Sequence, residues 1–221
     1  MNTTKAVLFD MDGLLVDSER IGIRTAIATG REMGYPVTEA LATKMLGVTR
    51  EQSRAMYQSA FPQMDMDLFQ RLFTREMEAA VERGEARAML GARELLEFLR
   101  HKGIPRVVAS STDLTRVLKR LEMAGLAQLF DGFVTGDMVS RSKPDPEIFL
   151  IAAEKAGAEI CDCLVLEDSV NGIKAGRASG ARVVMVPDVI PYTEDLAPYC
   201  DAVMDSLCDV KAWLERALSK E

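Results

Sequence analysis

The sequence is poor in side chains that hold soft metals. It has one histidine, His101, and four cysteines, and Cys161, Cys163, Cys200 and Cys208 form no zinc-ligand spacing. Cys161 and Cys163 lie one residue apart at the start of an apolar run, so the cysteines are expected to act as small buried hydrophobes in a reducing compartment. Positive charge is also short: 27 Lys and Arg stand against 34 Asp and Glu, a net charge of -7. Without a basic stripe, nucleic acid is not an expected partner, and an anionic membrane surface is an unfavourable one. An anionic substrate would need a locally positive site. No apolar run is long enough to span a membrane, and the one in MNTTKAVLFDMDG is shorter than a signal-peptide core, so the expected location is cytoplasmic. There is no internal repeat or low-complexity segment, and no obligate protein partner is evident.

What is present is an ordinary globular composition, 48% hydrophobic and 28% charged over 221 residues. That length suits one large α/β domain or a core carrying a smaller insertion. Short β-branched runs recur at KAVLF (5–9), RVVAS (106–110), GFVTG (132–136), CLVLE (163–167) and RVVMV (182–186), with a sixth at DAVMD (201–205) and a closing helix over 207–219. Helical patterns lie between them, punctuated by Gly103, Gly125 and Gly157, which predicts a doubly wound parallel sheet covered on both faces. Residues 15–87 break this rhythm. They show helical stretches near 18–33, 39–46, 50–59 and 66–83 but no strand, too much chain for one crossover. The expected organisation is an α/β core of residues 1–14 and 88–221 with an all-helical insertion over 15–87, able to move as a lid on its two chain crossings.

Polar residues collect at four predicted strand ends. Asp10 and Asp12, followed by Gly13, end the first strand at the sheet edge where open parallel sheets bind ligands. Ser110, Ser111 and Thr112 end the second, where hydroxyls and free amides before a helix can either cradle a phosphate or cap the helix. Lys143, in SKPDPEIF, follows the third, where an ammonium among acids can neutralise phosphate oxygens. Glu167 and Asp168 end CLVLE, the most continuously apolar strand; acids there need a partner or a cation. With Asp10 and Asp12, Asp168 supplies the hard oxygen donors that Mg²⁺ takes. Each cluster alone is compatible with turn or cap chemistry, but four together point to one site.

VLFDMDGLLVDSE, VVASST, SKPDPEIF and LEDSVNGIKAGRASGA, in that order, closely resemble the haloacid dehalogenase superfamily, and most of all its sugar-phosphatase and β-phosphoglucomutase-like branch with a helical cap. The resemblance implies that Asp10 attacks phosphorus to give an aspartyl phosphate, while Asp12 protonates the leaving oxygen and then activates water. It implies that Ser110 and Lys143 hold the phosphoryl group, with Ser111 beside them. Mg²⁺ would be bound by the Asp10 carboxylate, the Asp12 main-chain carbonyl and Asp168, with Glu167 supporting or occasionally ligating. Dehalogenases of the superfamily lack the acid/base at the position of Asp12, so the expected substrate is a small phosphorylated metabolite. Arg50, in LGVTRE, matches a cap arginine that meets the distal part of a sugar phosphate, and Leu46, Gly47 and Val48 would shape the pocket roof. Gly22 stands where the mutases carry a histidine, which favours a phosphatase over a phosphosugar mutase. A phospho-accepting signalling receiver is the alternative of another class, but it places its lysine last, whereas Lys143 precedes Asp168.

Overall fold

A computed structural model of the chain describes residues 4–219. Six parallel strands are found among them: β1 (Ala6–Phe9), β2 (Arg106–Ser110), β3 (Gly132–Thr135), β4 (Cys163–Glu167), β5 (Arg182–Met185) and β6 (Ala202–Val203). Their spatial order is β3-β2-β1-β4-β5-β6. The chain works outward from β1 to β3, then returns to the other side of β1, so loops leaving β1 and β4 diverge and open a crevice at their carboxyl ends.

The strands are apolar throughout because both faces are covered. Val7, Phe9, Val108, Leu164, Leu166 and Val184 enter one hydrophobic cluster, while Ala6, Leu8, Val107, Ala109, Val165 and Val183 enter the other, the period-two alternation of a pleated strand. The first cluster is closed by α5 (Ala92–His101), α6 (Leu114–Met123) and α9 (Leu207–Leu218), after four earlier helices described below; the second is closed by α7 (Glu147–Ala156) and α8 (Val170–Ser179). Only Cys163 packs as a buried apolar residue. Cys161 and Cys208 are exposed and Cys200 is half-buried, because they fall on turns and helix surfaces instead of in the strand.

Between β1 and α5 lie α1 (Glu19–Glu32), α2 (Glu39–Thr43), α3 (Arg50–Ala60) and α4 (Met66–Glu82). The helix expected over 39–46 stops at Thr43, and its last residues continue as turns through Met45 N–H to Ala42 O and Leu46 N–H to Thr43 O. These helices share a cluster of Ala26, Val37, Ala42, Tyr57, Met64, Met66 and Phe69. Met64 and Met66, in QMDMDLF, thus fill a core. Chain leaving and returning to the sheet is stitched together, with Asp17 N–H donating to Arg87 O and Met89 N–H to Leu15 O, each at 2.9 Å.

Phe69 is buried against the Tyr57 ring at 4.8 Å between centroids. Phe69→Ala is expected to cost about 3–5 kcal/mol, read as a lower urea midpoint; a loss below roughly 1 kcal/mol would mean that this cluster is not packed as described.

Candidate active site

Parallel register carries the ends of β1 and β4 to the same edge. Phe9 lies beside Leu166, and the Asp10 N–H donates to Leu166 O at 3.0 Å, so Asp10 emerges next to Glu167 and Asp168. Lys143 reaches them from the loop before α7. Its Nζ donates to Asp10 Oδ1 at 2.5 Å, Glu167 Oε1 at 2.6 Å and Ala109 O at 2.8 Å, and lies 4.9 Å from the Phe149 ring centroid. Burial opposes this charge, but Asp10 and Glu167 outweigh it and hold the ammonium above its ordinary range. All three ammonium protons are engaged, so Lys143 neutralises carboxylates in this arrangement and has no free donor for a phosphoryl oxygen.

Glu167 is equally committed. Its second oxygen, Oε2, accepts from Asp168 N, Ser169 N and Ser169 Oγ at 3.0–3.1 Å. A methyl group at Gly172 would stand 1.8 Å from this carboxyl, so the first turn of α8 has to present a glycine to it. Asp168 differs. It is 1% exposed, yet neither carboxylate oxygen has a hydrogen-bond partner. Gly13, at φ +84°, lets the β1 loop pass so close that a Cβ there would lie 2.3 Å from Asp168 Oδ2.

Asp12 is held by three donors. Ser18 Oγ and Arg120 Nη1 both donate to Oδ1 at 2.5 Å, and Thr112 Oγ1 donates to Oδ2 at 3.0 Å. Its main-chain oxygen accepts no hydrogen bond among the described residues. Ser110 is 1% exposed at the end of β2, and its Oγ accepts from Thr112 N at 3.1 Å, leaving the hydroxyl proton free. Ser111 is exposed beside it. The helix end itself is already capped. Asp113 takes the Arg116 N–H and Asp137 the Leu114 N–H, so anion-binding capacity here is confined to the Ser110–Ser111 turn.

The inserted helices reach this edge through Gly47, whose carbonyl accepts from Asn171 Nδ2 at 2.7 Å and whose backbone packs on Ser169. That puts the 46–48 turn over the end of β4. Arg50 is not drawn in; it is exposed at the start of α3, with Asp67 as an acidic neighbour. Arg20, of α1, lies 2.7 Å from Asp188 in the loop after β5. Ser18, Glu19 and Arg120 stand at the site and were not singled out from the sequence. Glu19 is 7% exposed against Gly13, with Oε2 unpartnered; burial first, then Asp188, Asp12, Asp10 and Glu167, push its carboxyl up to about 8. The available signal was charge at half-buried helical positions, since Arg120 follows Val117 and precedes Leu121 on the face of α6 that packs inward.

Residues 4–180 match the family described as haloacid dehalogenase-like hydrolase. The chain belongs to that family. A phosphorylated carbohydrates phosphatase of Thermotoga maritima is 32% identical over 80% of this chain and 82% of its own length. Hexitol phosphatase B of Escherichia coli is 29% identical over 94% of each. Among solved structures, a haloacid dehalogenase family hydrolase from Deinococcus radiodurans with bound phosphate and sodium superposes with a TM-score of 0.81 at 28% identity, covering 98% of this chain and 97% of that one. The match and these relatives make the chain an enzyme of the sugar-phosphatase branch, a phosphatase on a Rossmann-like core, and set aside the signalling receiver.

The residues of this hydrolase fit a divalent cation. Asp10, Glu167 and Asp168 bring carboxylate oxygens within 4.8 Å of one another, and Asp168 offers two with no other partner. Formally, three carboxylates against the single ammonium of Lys143 leave two negative charges, which one divalent ion cancels. The protein alone shows the same deficit. Asp168 is raised well above the ordinary carboxyl range by burial, Glu167 and Asp10, and Asp10 is raised from 3.8 to about 7, burial outweighing Lys143.

A carboxyl raised in the folded state holds protons that the unfolded chain has already lost, so folding free energy falls as pH climbs through that window. For the chelated hydrolase, the melting temperature is expected to drop between pH 4 and pH 7, the span of the Asp10 shift, and Mg²⁺ to restore it. Asp168→Asn should flatten the drop and weaken Mg²⁺ binding in calorimetry. A metal-free melting temperature that rises over this range would contradict the assignment.

Proposed function

We propose that this phosphatase hydrolyses a small phosphomonoester, a phosphosugar, with Mg²⁺ and through an aspartyl phosphate on Asp10. The observation that carries the reading is Asp10 itself. Its carboxylate is anchored by Lys143 at 2.5 Å beside the unpartnered Asp168, at the edge where the sheet opens. Asp10, Asp168 and the Asp12 carbonyl would hold the cation, with Glu167 as their support. When bound, Mg²⁺ supplies the positive charge that neutralises phosphoryl oxygens and keeps the nucleophile ionised.

The protein's own residues do the rest. Ser110, with its proton free, orients a phosphoryl oxygen together with the Ser111 turn, while Lys143 keeps Asp10 from being repelled by Glu167. An Asp10 oxygen bonds to phosphorus as the ester P–O bond breaks, and the ester oxygen takes a proton from the Asp12 carboxyl and leaves as the alcohol. Water then attacks phosphorus, Asp12 takes its proton, and inorganic phosphate and free Asp10 result.

Residues 15–87 are read as a cap over a core of 1–14 and 88–221. Gly47 on Asn171 and Arg20 on Asp188 are among the contacts that would break when the cap opens to admit substrate. Arg50 would meet the distal part of the substrate only on tighter closure. Water is the favoured acceptor because Gly22 leaves open space where a mutase would need a base, and His101 turns Nδ1 to Glu97 O at 2.7 Å at the far end of α5.

Asp10→Asn is expected to lower phosphate release by at least roughly a thousand-fold with the far-ultraviolet spectrum unchanged. The assay is a panel of phosphomonoesters with Mg²⁺, including β-glucose 1-phosphate with a bisphosphate activator, from which a mutase yields glucose 6-phosphate. Near-normal turnover by Asp10→Asn would remove the nucleophile, and no phosphate release from any member by the unaltered protein would sink the reading.

A further inference from the structure

Arg120 belongs to a row of cations along α6, and its two neighbours differ from it in what they face. Arg116 Nε lies 3.8 Å from Glu78, and Lys119 Nζ 2.7 Å from Glu82, both on α4. These are exposed pairs that link α4 to α6. Arg120, four residues after Arg116, lines the cavity between α4 and α6 together with Met77 and Val81 and is more withdrawn than its neighbours. Its side chain is 13% exposed, and its ion-pair partner is Asp12. Withdrawing a guanidinium this far from water is costly without such a partner, so packing of α6 forces Arg120 and Asp12 together.

The contact is selective between the two carboxylate oxygens. Oδ1 accepts from both Ser18 and Arg120, which occupies its two lone pairs; Oδ2 accepts only from Thr112. We propose that Arg120 is a positioning residue for proton transfer: with Ser18 it reserves Asp12 Oδ1 and leaves Oδ2 as the atom that gives the proton to the leaving oxygen. This rests on the phosphatase reading above. The bland alternative is an ion pair that merely ties α6 to the β1 loop, and the two differ in which substrates suffer.

Protonation of the leaving group matters for an alkyl oxygen and hardly at all for p-nitrophenolate, and kcat/KM reports only the steps up to its departure. The test compares kcat/KM of the protein and of Arg120→Met, Arg120→Gln and Arg120→Lys on p-nitrophenyl phosphate and on the best phosphosugar of the panel. Arg120→Met is expected to lose about ten-fold more on the phosphosugar than on p-nitrophenyl phosphate, with Arg120→Lys recovering part of it. In an Asp12→Asn background the same substitution should add no further discrimination. Equal losses on both substrates, no loss on either, or a full additional loss in Asp12→Asn would each overturn the proposal while leaving the phosphatase reading intact. If Arg120→Met does not fold, the same ratio measured on Arg120→Gln decides. If the unaltered protein hydrolyses neither substrate, it is the phosphatase reading that fails.

Discussion

A single ammonium, Lys143, makes the acidic edge of the sheet possible. Asp10 and Glu167 arrive side by side because parallel register and the ends of β1 and β4 bring them there, and both are buried. Two carboxylates without a cation in that position would repel each other and lose solvation together. Lys143 meets both, and its third proton goes to Ala109 O at the end of β2, so one side chain ties three strands at their carboxyl ends. Glu167 then spends its other oxygen on the amides that start α8, which sets where Asp168 points. The orientation of Asp168 therefore follows from a lysine that lies 25 residues earlier in the chain.

The same accounting of charge separates the site into two parts. Around Asp10 and Asp168 the protein is short of positive charge, which suits an exchangeable cation. Around Asp12 it is balanced, because Arg120 supplies the cation from the protein. Glu19 sits between the two with an oxygen unpartnered, held against Gly13 by the first turn of α1. Since α1 belongs to the inserted helices, any opening of the crossings at 15–17 and 87–89 would move Glu19 with them. α4 is linked to the same centre because its Glu78 and Glu82 pair with Arg116 and Lys119 of α6, the helix that carries Arg120.

Much of this was legible in the sequence, for a definite reason. Strand ends in a parallel sheet all face one edge, so Asp10, Asp12, Ser110, Lys143 and Asp168 could be assembled on paper from strand positions alone, without knowing strand order. The run of four helices without a strand between β1 and α5 was legible because that stretch holds no β-branched run. Helical residues were another matter. Where Arg120 or Glu19 points depends on how α6 and α1 dock, and periodicity gives the face of a helix without giving what stands opposite it. Arg50, whose motif reads as substrate-facing, is exposed beside Asp67 in this arrangement, because its helix α3 lies away from the strand ends. For Thr112 a phosphate cradle and a helix cap were both open; its hydroxyl donates to Asp12 instead, while Asp113 caps the helix.

Lys143 also constrains how a phosphoryl group can be met. An ammonium with three acceptors at 2.5–2.8 Å has no donor left, so contact with a phosphate requires it to give up one of them. The Ala109 carbonyl is the neutral one of the three, and losing it leaves both carboxylates neutralised; losing Asp10 or Glu167 would leave a buried charge unpaired. Under the proposed function, recognition of the phosphoryl oxygens would therefore fall mainly to Ser110, to the amides of the Ser110–Ser111 turn, and to a cation held by Asp10 and Asp168. Under that reading, positive charge arriving with the cation, instead of being built permanently into the walls, would let the site bind a dianion and later release one.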